Sequence, residues 1–217
     1  MILQVELSEK VRQKIEAGRE YRTMTMTARE AGSEDGKMIV DGYATLFNRP
    51  YTLYEGRSYK IIEQIDPRAF DGCDTSDVIM LYDHEGRVFA RNKNNTLWLT
   101  VDSVGLKIGA ELSGTDLGRQ VYAEIRGGYT DKMSFSFAVK EDKKEYTEDY
   151  DAGVEICTRT ILKIKKVYDV SAVSIPANDL TTISARKFSD GVIGEFEAER
   201  LKRAHWIKQI KLRMMEV

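Results

Sequence analysis

The sequence has few cysteines, prolines and histidines, the residues that form disulfides, interrupt helices and strands, and bind metal ions. Its 217 residues include two cysteines, three prolines and two histidines. Cys73 and Cys157 do not make a disulfide framework, which favours a reducing cytoplasm. One plausible histidine and two distant cysteines also exclude a histidine-rich zinc site. No motif indicates a carboxylate-bound metal or a cofactor, and we expect none.

Long hydrophobic runs and excess positive charge are absent as well. The longest apolar runs are a handful of residues, so no membrane span is expected. Residues 1–6 lack a basic region, a long apolar run and a small-residue cleavage site, so no secretory signal is expected. The formal net charge of -2 gives no global basic field, so nucleic acid is not an expected partner.

What is present predicts a β-rich α+β fold. Val, Ile, Thr and Tyr are abundant, and the 42% hydrophobic residues are enough for one sizeable core with an appendage. Apolar runs and alternation predict strands at residues 38–47, 59–65, 77–84, 87–91, 96–101, 105–112, 133–139, 154–165 and 167–175.

The chain divides into three parts around these strands. We expect an N-terminal arm or short helix over residues 1–30, the strand-rich domain over 31–185 and an amphipathic helix over 186–217. Within the domain, a capping pattern and C-terminal glycines predict a helix near residues 115–126. Residues 140–153 carry acids and lysines without an apolar period, which predicts a flexible, solvated loop or a hairpin tip.

The candidate chemistry centres on a strand with two unlike faces. Met133, Phe135 and Phe137 alternate with Ser134 and Ser136. Bulky apolar side chains therefore point to one side of the strand and small hydroxyls to the other. Such a strand can form the floor of a reactive site, and we interpret Ser134 as a nucleophile.

A serine nucleophile needs a base, and His84 is the candidate. The ordinary pKa of histidine, near ~6.5, suits proton transfer at neutral pH. His84 ends an apolar strand beside the predicted turn Glu85-Gly86, although a lone histidine in such a place is more often structural. His205 lies in the basic C-terminal segment and is better interpreted as solvated.

Asp169 is the candidate for holding the imidazole of that base. It lies in an otherwise apolar strand, where a carboxylate is costly unless it has a partner. A bond to Lys165 or Lys166 is the competing interpretation.

A reactive serine also needs backbone N–H groups that stabilise the oxyanion. Ala177 and Asn178 lie in the turn directly after the Asp169 strand and could supply them. The pair Gly127-Gly128 is a weaker second choice.

Six segments in order make the chain resemble the prohead serine proteases of tailed bacteriophages. The matching segments are GYATLFN at 42–48, EQIDPRAF at 63–70, LYDHE at 81–85, GLKI at 105–108, MSFSF at 133–137 and DVSAVSIPAN at 169–178. The resemblance implies a fold like that of the herpesvirus assembly proteases, an antiparallel β-barrel, closed or nearly closed, surrounded by helices.

The resemblance also implies an activity and a place. It implies a serine endopeptidase that cleaves the scaffold portion of the major capsid protein, and itself, inside the immature procapsid in the host cytoplasm. The family's histidine falls on His84, its nucleophile on Ser134 and its acidic third member on Asp169. The loop that holds Ala177 and Asn178 matches the position that supplies oxyanion donors in the herpesvirus relatives. The herpesvirus relatives dimerise, so a homo-oligomer is also possible.

The chain departs from the family pattern at three positions, one of which is Arg68, where the family often has Gly. Glu85 follows the histidine where the family often has Asp, and Ser136 stands where the family often has Gly. Ser136 matters most, because it places a second hydroxyl on the same strand face as Ser134.

Other interpretations stay open from the sequence. A non-catalytic scaffold or assembly factor could bind coat protein, and the C-terminal helix would suit that function as well as packing on its own domain. A protease using Cys73 with His84 is disfavoured, because the acidic neighbours of Cys73 oppose a thiolate. If Asp169 does not hold the imidazole, Glu85 or Asp83 is the next candidate.

Overall fold

The computed structural model of the chain describes residues 13, 18–28, 37–149, 153–174 and 183–215. Within these residues there are ten strands and two α-helices. The strands are β1 (Glu20–Ala28), β2 (Ile39–Leu46), β3 (Tyr51–Glu55), β4 (Tyr59–Ile65), β5 (Ile79–Tyr82), β6 (Glu85–Arg91), β7 (Leu97–Val101), β8 (Gly105–Glu111), β9 (Lys132–Asp149) and β10 (Val154–Val173). The helices are α1 (Asp116–Arg126) and α2 (Ile183–Met215), and a short 3-10 helix (Asn92–Asn94) follows β6.

The strands form one mixed sheet, which confirms the strand-rich α+β class. Its order is β3-β4-β10-β9-β1-β2-β8-β7, with β5 paired to β10 and β6 paired to β5. The long strand β10 is parallel to β4 along its first half and to β5 near its end. The sheet is therefore mixed, whereas the resemblance had implied an antiparallel sheet.

The predicted barrel is not confirmed. Strands β3 and β7 stand at the two ends of the strand order, so strand pairing among the described residues does not close the sheet. A single parallel bridge joins Phe47 to Ile65, and the N–H of Asn48 donates to the carbonyl of Ile65 at 3.0 Å. Helices also do not surround this sheet, since only α1 and α2 are found in the described ranges.

Two segments that the sequence assigned to arm and loop are strands. β1 lies within the predicted N-terminal arm, yet it pairs with β9 on one side and β2 on the other. The predicted loop or hairpin tip over 140–153 is strand as far as residue 149, because β9 continues along β10. Its polar composition reflects a hairpin arm that is mostly solvated, and residues 150–152 lie outside the described ranges.

Helix α1 is the helix expected near residues 115–126. The Thr115 hydroxyl accepts the N–H of Gly118 at 3.0 Å and caps its first turn. Val121, Tyr122 and Ile125 are buried, so this helix packs on the core side of the sheet.

Helix α2 packs on the domain through its middle, where Arg200 and Arg203 also pair with Glu155 of β10. Val192, Ile193 and Phe196 join Leu53, Ile61 and Cys157 in a second, smaller core. Further along the helix, several large apolar side chains are exposed, namely Leu201, Trp206, Ile207, Leu212 and Met214. No helix in the described part of the chain combines the length and the apolarity that a membrane crossing requires.

A buried ion network joins β1, β4 and β10. Glu63 is 0% exposed and accepts hydrogen bonds from Arg22 at 2.5 and 2.7 Å and from Arg159 at 2.8 Å. Glu20 accepts from both arginines, and Asp142 accepts from Arg159 at 2.5 Å. Burial alone would raise the pKa of Glu63, but Arg22 and Arg159 outweigh it and lower the pKa to about 2.

We expect Glu63→Gln to lower the free energy of unfolding by about 3–5 kcal/mol, because two buried guanidinium groups lose a shared counter-charge. The folded pKa lies below the ordinary 4.5, so this stabilisation is complete above that pH and is lost as pH falls through about 2. Urea unfolding near neutral pH and in acid measures it, and the gap between wild type and variant should narrow in acid.

The matched control is Glu55→Gln on the neighbouring strand. Glu55 pairs with Lys60 at 3.2 Å at an exposed position, so this change should alter the free energy of unfolding by less than about 0.5 kcal/mol. If both variants lost the same free energy of unfolding, the buried network would stabilise the fold no more than the exposed ion pair does.

Candidate active site

His84 lies in a two-residue turn between β5 and β6. Tyr82 and Glu85 pair across this hairpin, and the two central residues, Asp83 and His84, have φ of 47° and 62°. Positive φ at both central positions is the type I′ pattern, which normally uses Asn and Gly. The turn thus comes earlier than the expected Glu85-Gly86, and His84 itself occupies a conformation that non-glycine residues adopt with strain.

The turn is fastened to the end of β10 by Asp83. The Asp83 N–H donates to the carbonyl of Ala172 at 2.9 Å. Its carboxylate accepts the N–H of Ser174 at 2.9 Å and the hydroxyl of Ser174 at 2.8 Å. Asp83, one of the alternative partners for the imidazole, therefore has a different task in holding the hairpin to β10.

The acid that holds the imidazole is Asp169. Its carboxylate is buried at 2% exposure, and its Oδ1 lies 2.5 Å from His84 Nδ1. Ser136 donates its hydroxyl to Oδ2, Ser171 donates to Oδ1 at 3.2 Å, and Arg19 approaches Oδ2 at 3.8 Å. These donors offset the cost of burying a carboxylate in an apolar strand.

Of the two lysines weighed as partners of Asp169, Lys166 has another partner. Its ammonium group donates to Asp74 at 2.7 Å, outside the site.

The contact with Asp169 shows where the imidazole carries its proton. A carboxylate oxygen at 2.5 Å accepts, so Nδ1 carries the hydrogen, and neutral His84 has its lone pair on Nε2. The ring of Tyr21 stands edge-on to the imidazole, with centroids 4.5 Å apart. Burial raises the pKa of the Tyr21 phenol, so this neighbour is neutral at physiological pH.

The two serines of β9 share one face but differ in bonding. In the register between the strands, Ser136 lies opposite Asp169, and Ser134 lies opposite Ser171. Ser134 is 1% exposed and Ser136 is 0% exposed. The hydroxyl of Ser136 donates a hydrogen bond to Asp169, whereas that of Ser134 has no hydrogen-bond partner among the described residues.

The sheet places Ser134 opposite Ser171, the residue that contacts the histidine and its acid, although in the described part of the chain no hydrogen bond joins the Ser134 hydroxyl to His84. Ser171, which faces Ser134 across the ladder, has its Oγ 3.2 Å from His84 Nδ1. Residues directly opposite each other on antiparallel strands have Cβ atoms about 4.5–5.5 Å apart. Sequence reasoning missed Ser171, although its spacing of two from Asp169 puts both side chains on one face of β10.

Of the two expected pairs of oxyanion donors, the structure describes only the second choice, Gly127 and Gly128. Ala177 and Asn178 lie outside the described residues. The second choice is not supported, because Gly127 donates its N–H to Ala123 at 2.8 Å and Gly128 donates to Ile125 at 3.1 Å. Those two amides serve the C-terminus of α1.

A cleft opens beside the site. It has a volume of about 520 Å³ and lies between the start of β1, the middle of β9 and α2. Arg19 lines this cleft and also reaches Asp169. Among the described residues, β1 pairs with β9 as far as Phe137, and residues 139–142 of β9 line the cleft beyond this last β1 partner.

Neither a metal cluster nor a reactive thiol competes with this arrangement in the described residues. Within those residues, no group of three or more His, Cys, Asp or Glu side chains is placed to hold a metal ion. Burial raises the pKa of the Cys73 thiol to about 11, so the thiolate needed for a cysteine nucleophile is scarce at neutral pH.

The chain matches a known protein family. Residues 23–192 match the family model described as caudovirus prohead serine protease. The matched range includes His84, Ser134 and Asp169 and nearly the whole sheet. Searches among curated proteins and among solved structures found no match.

We expect Cys73 to react slowly with iodoacetamide. With its pKa raised to about 11 by burial, its thiolate fraction near neutral pH is lower than that of a free cysteine by roughly a hundredfold. Mass spectrometry of the alkylated native protein, with the urea-unfolded protein as the reference, measures the rate at this residue. If Cys73 were alkylated as fast in the native as in the unfolded protein, a cysteine protease using Cys73 and His84 would again be a candidate.

Proposed function

Because the chain belongs to the caudovirus prohead serine protease family, we propose that Ser134, His84 and Asp169 are the catalytic triad of this serine endopeptidase. The family acts in phage capsid maturation, so the chain is a hydrolase of peptide bonds rather than a non-catalytic assembly factor. The observation that supports the triad best is the 2.5 Å contact between His84 Nδ1 and Asp169 Oδ1, beside a strand that carries a buried hydroxyl.

The reaction is acyl transfer through Ser134. His84 Nε2 takes the hydroxyl proton as Ser134 Oγ attacks the scissile carbonyl, and Asp169 stabilises the imidazolium that forms. His84 then gives this proton to the leaving amine, and an acyl-enzyme remains on Ser134. A water molecule, deprotonated by His84, hydrolyses the ester and restores the serine. Backbone N–H groups of Ala177 and Asn178 hold the oxyanion in both halves of the reaction.

Ser134 suits the nucleophile better than Ser136. A nucleophile needs a proton that can pass to His84 Nε2, and the proton of Ser136 is already donated to Asp169. The hydroxyl of Ser134 makes no competing bond within the described ranges. Ser136 instead supports the carboxylate at Oδ2, the oxygen that His84 does not use.

The substrate must displace covering groups before it reacts. Ser134 and His84 are each 1% exposed, so a peptide carbonyl cannot reach Ser134 in this conformation. The adjoining cleft gives an extended polypeptide a place to bind, because the backbone of β9 lines it beyond the end of its β1 ladder. Pairing of a substrate strand with such an edge is a common mode of peptide recognition.

The substrate is the scaffold portion of the major capsid protein, and the chain itself is a second substrate. Cleavage takes place within the immature procapsid in the host cytoplasm, where the enzyme works on neighbouring subunits, alone or as a homo-oligomer. The family supports capsid protein as the substrate class. The herpesvirus-like barrel belongs to the same proposal, and the bridge between Phe47 and Ile65 supports a nearly closed form.

We expect Ser134→Ala to lower kcat for cleavage of purified capsid protein by at least about 10⁴-fold, because no group remains to form the acyl-enzyme. Ser136→Ala removes one donor from Asp169 and should cost only about 10–100-fold. Gel analysis of cleavage, with circular dichroism to check folding, measures both. Cleavage by Ser134→Ala at the wild-type rate would refute the assignment, and full loss in Ser136→Ala alone would exchange the two roles.

Asp169→Asn tests the orientation of the imidazole. An amide can donate to Nδ1 and favours the wrong tautomer, so kcat should fall by about 10³–10⁴-fold with the fold intact. Labelling by a serine-reactive phosphonate should slow to a similar extent. Asp77→Asn is the control, since Asp77 pairs with Arg91 and Lys93 away from the site and should leave the rate unchanged. Equal rates for the Asp169 and Asp77 variants would remove Asp169 from the triad.

A further inference from the structure

We propose that Ser171 is a positioning residue for His84, whose hydroxyl holds both the strained turn and the Nδ1–H tautomer of the imidazole. The catalytic consequence of this proposal rests on the proposed triad. The structural consequence, a fixed tautomer, does not depend on it.

The hydroxyl of Ser171 lies at the centre of the site. Ser171 is completely buried, and its Oγ lies 3.2 Å from each of three atoms. These atoms are the backbone N of His84, the Nδ1 of His84 and the Oδ1 of Asp169. One small side chain therefore contacts the main chain of the base, its ring and its acid.

The number of protons in these contacts selects the tautomer. A serine hydroxyl has one hydrogen and two lone pairs. Its hydrogen goes to Asp169, so both remaining contacts require a donor, and the His84 N–H is one of them. The other must be Nδ1–H, which Ser171 shares with Asp169. If Nδ1 were unprotonated, its lone pair would face the Asp169 carboxylate at 2.5 Å, and the single Ser171 hydrogen could serve only one of Nδ1 and Oδ1.

The same contact supports the unusual backbone of His84. A non-glycine residue with φ of 62° is strained, and its conformation persists only when the surroundings hold it. The buried N–H of His84 donates to Ser171 at 3.2 Å, and loss of such a buried hydrogen bond costs about 1–3 kcal/mol. Ser171 thereby helps to keep the ring where its Nε2 is directed away from Asp169.

The position of Ser171 in the sheet explains how it can serve all three groups. It lies on β10, opposite Ser134 on β9 and opposite Leu81 on β5, the strand that leads into the His84 turn. Asp169 is two residues earlier on the same face. The residue that positions the base is thus built into the strand that carries the acid.

Kinetics give the first test. Ser171→Ala should lower kcat by about 10–100-fold through a misplaced imidazole, with KM changed by less than about twofold. Ser171→Thr keeps the hydroxyl and should recover the rate to within about fivefold of wild type. Thr45→Val, which removes a buried hydroxyl on β2, is the control and should leave kcat unchanged.

Nitrogen NMR of the imidazole gives a readout that a merely structural role would not change. The chain has two histidines, so the spectrum contains the signals of His84 and His205 only. In a Ser134→Ala background, which prevents self-cleavage, His84 should show a protonated Nδ1 and an unprotonated Nε2. Adding Ser171→Ala should move the two His84 nitrogen shifts towards each other, while those of His205 stay unchanged.

The outcomes separate this proposal from the proposed function. Unchanged His84 shifts in Ser171→Ala overturn the positioning role, whatever happens to the rate. Changed shifts together with an active Ser134→Ala enzyme would refute the triad and leave the role of Ser171 standing. If circular dichroism shows that Ser171→Ala does not fold, Ser171→Cys decides, since a thiol is a weaker acceptor of similar shape and should shift the tautomer in the same direction.

Discussion

The burial of the Asp169 carboxylate is the constraint on which the site depends. A carboxylate inside an apolar strand is tolerated only with donors around it. The donors include His84 in the β5–β6 turn, Ser136 on β9 and Ser171 on β10 itself, and Arg19 before β1 approaches the same carboxylate. The fold can meet this requirement only when β5, β9 and β10 pair in one register. Stability of the sheet and geometry of the site are therefore set by the same contacts.

The sheet keeps two kinds of buried polar group on opposite faces. On β1, Tyr21 stands edge-on to the His84 ring, while the next residue, Arg22, points to the other face and joins the Glu63 network. Side chains alternate along a strand, so a slip of one residue would exchange the two faces. Arg22 would then lie in the site and Tyr21 in the ion network. The His84 site and the Glu63 ion network thus both disfavour a one-residue slip of β1. The ion network also explains how β1 can carry a charged residue and still lie inside the sheet, between β9 and β2.

Much of the fold could be predicted from the sequence, and the strands and turns that were not predicted were missed for physical reasons. Apolar alternation gave most strands, including β4, β7 and β8, and capping residues gave α1. Strand β1 was missed because the charge of Arg22 resembles solvated surface, although Glu63 and Glu20 neutralise it inside the fold. The extension of β9 was missed because a solvated hairpin arm has no apolar face. Closure of a barrel, and the place of the tight turn at Asp83-His84, depend on long-range contacts that local patterns do not encode.

The choice between Ser134 and Ser136 shows the same limit at the site itself. Both serines are buried on one face of one strand, so alternation and burial treat them alike. The difference lies in the partner of each hydroxyl, which follows from how Asp169 is oriented by His84 and Ser171. A buried hydroxyl without a partner costs about 1–3 kcal/mol, and Ser134 is such a hydroxyl among the described residues. A partner that accepted its proton would remove this cost, but in the proposed mechanism it would also compete with His84 for the proton that is transferred. The missing hydrogen bond is therefore what favours Ser134 over Ser136 as the proposed nucleophile.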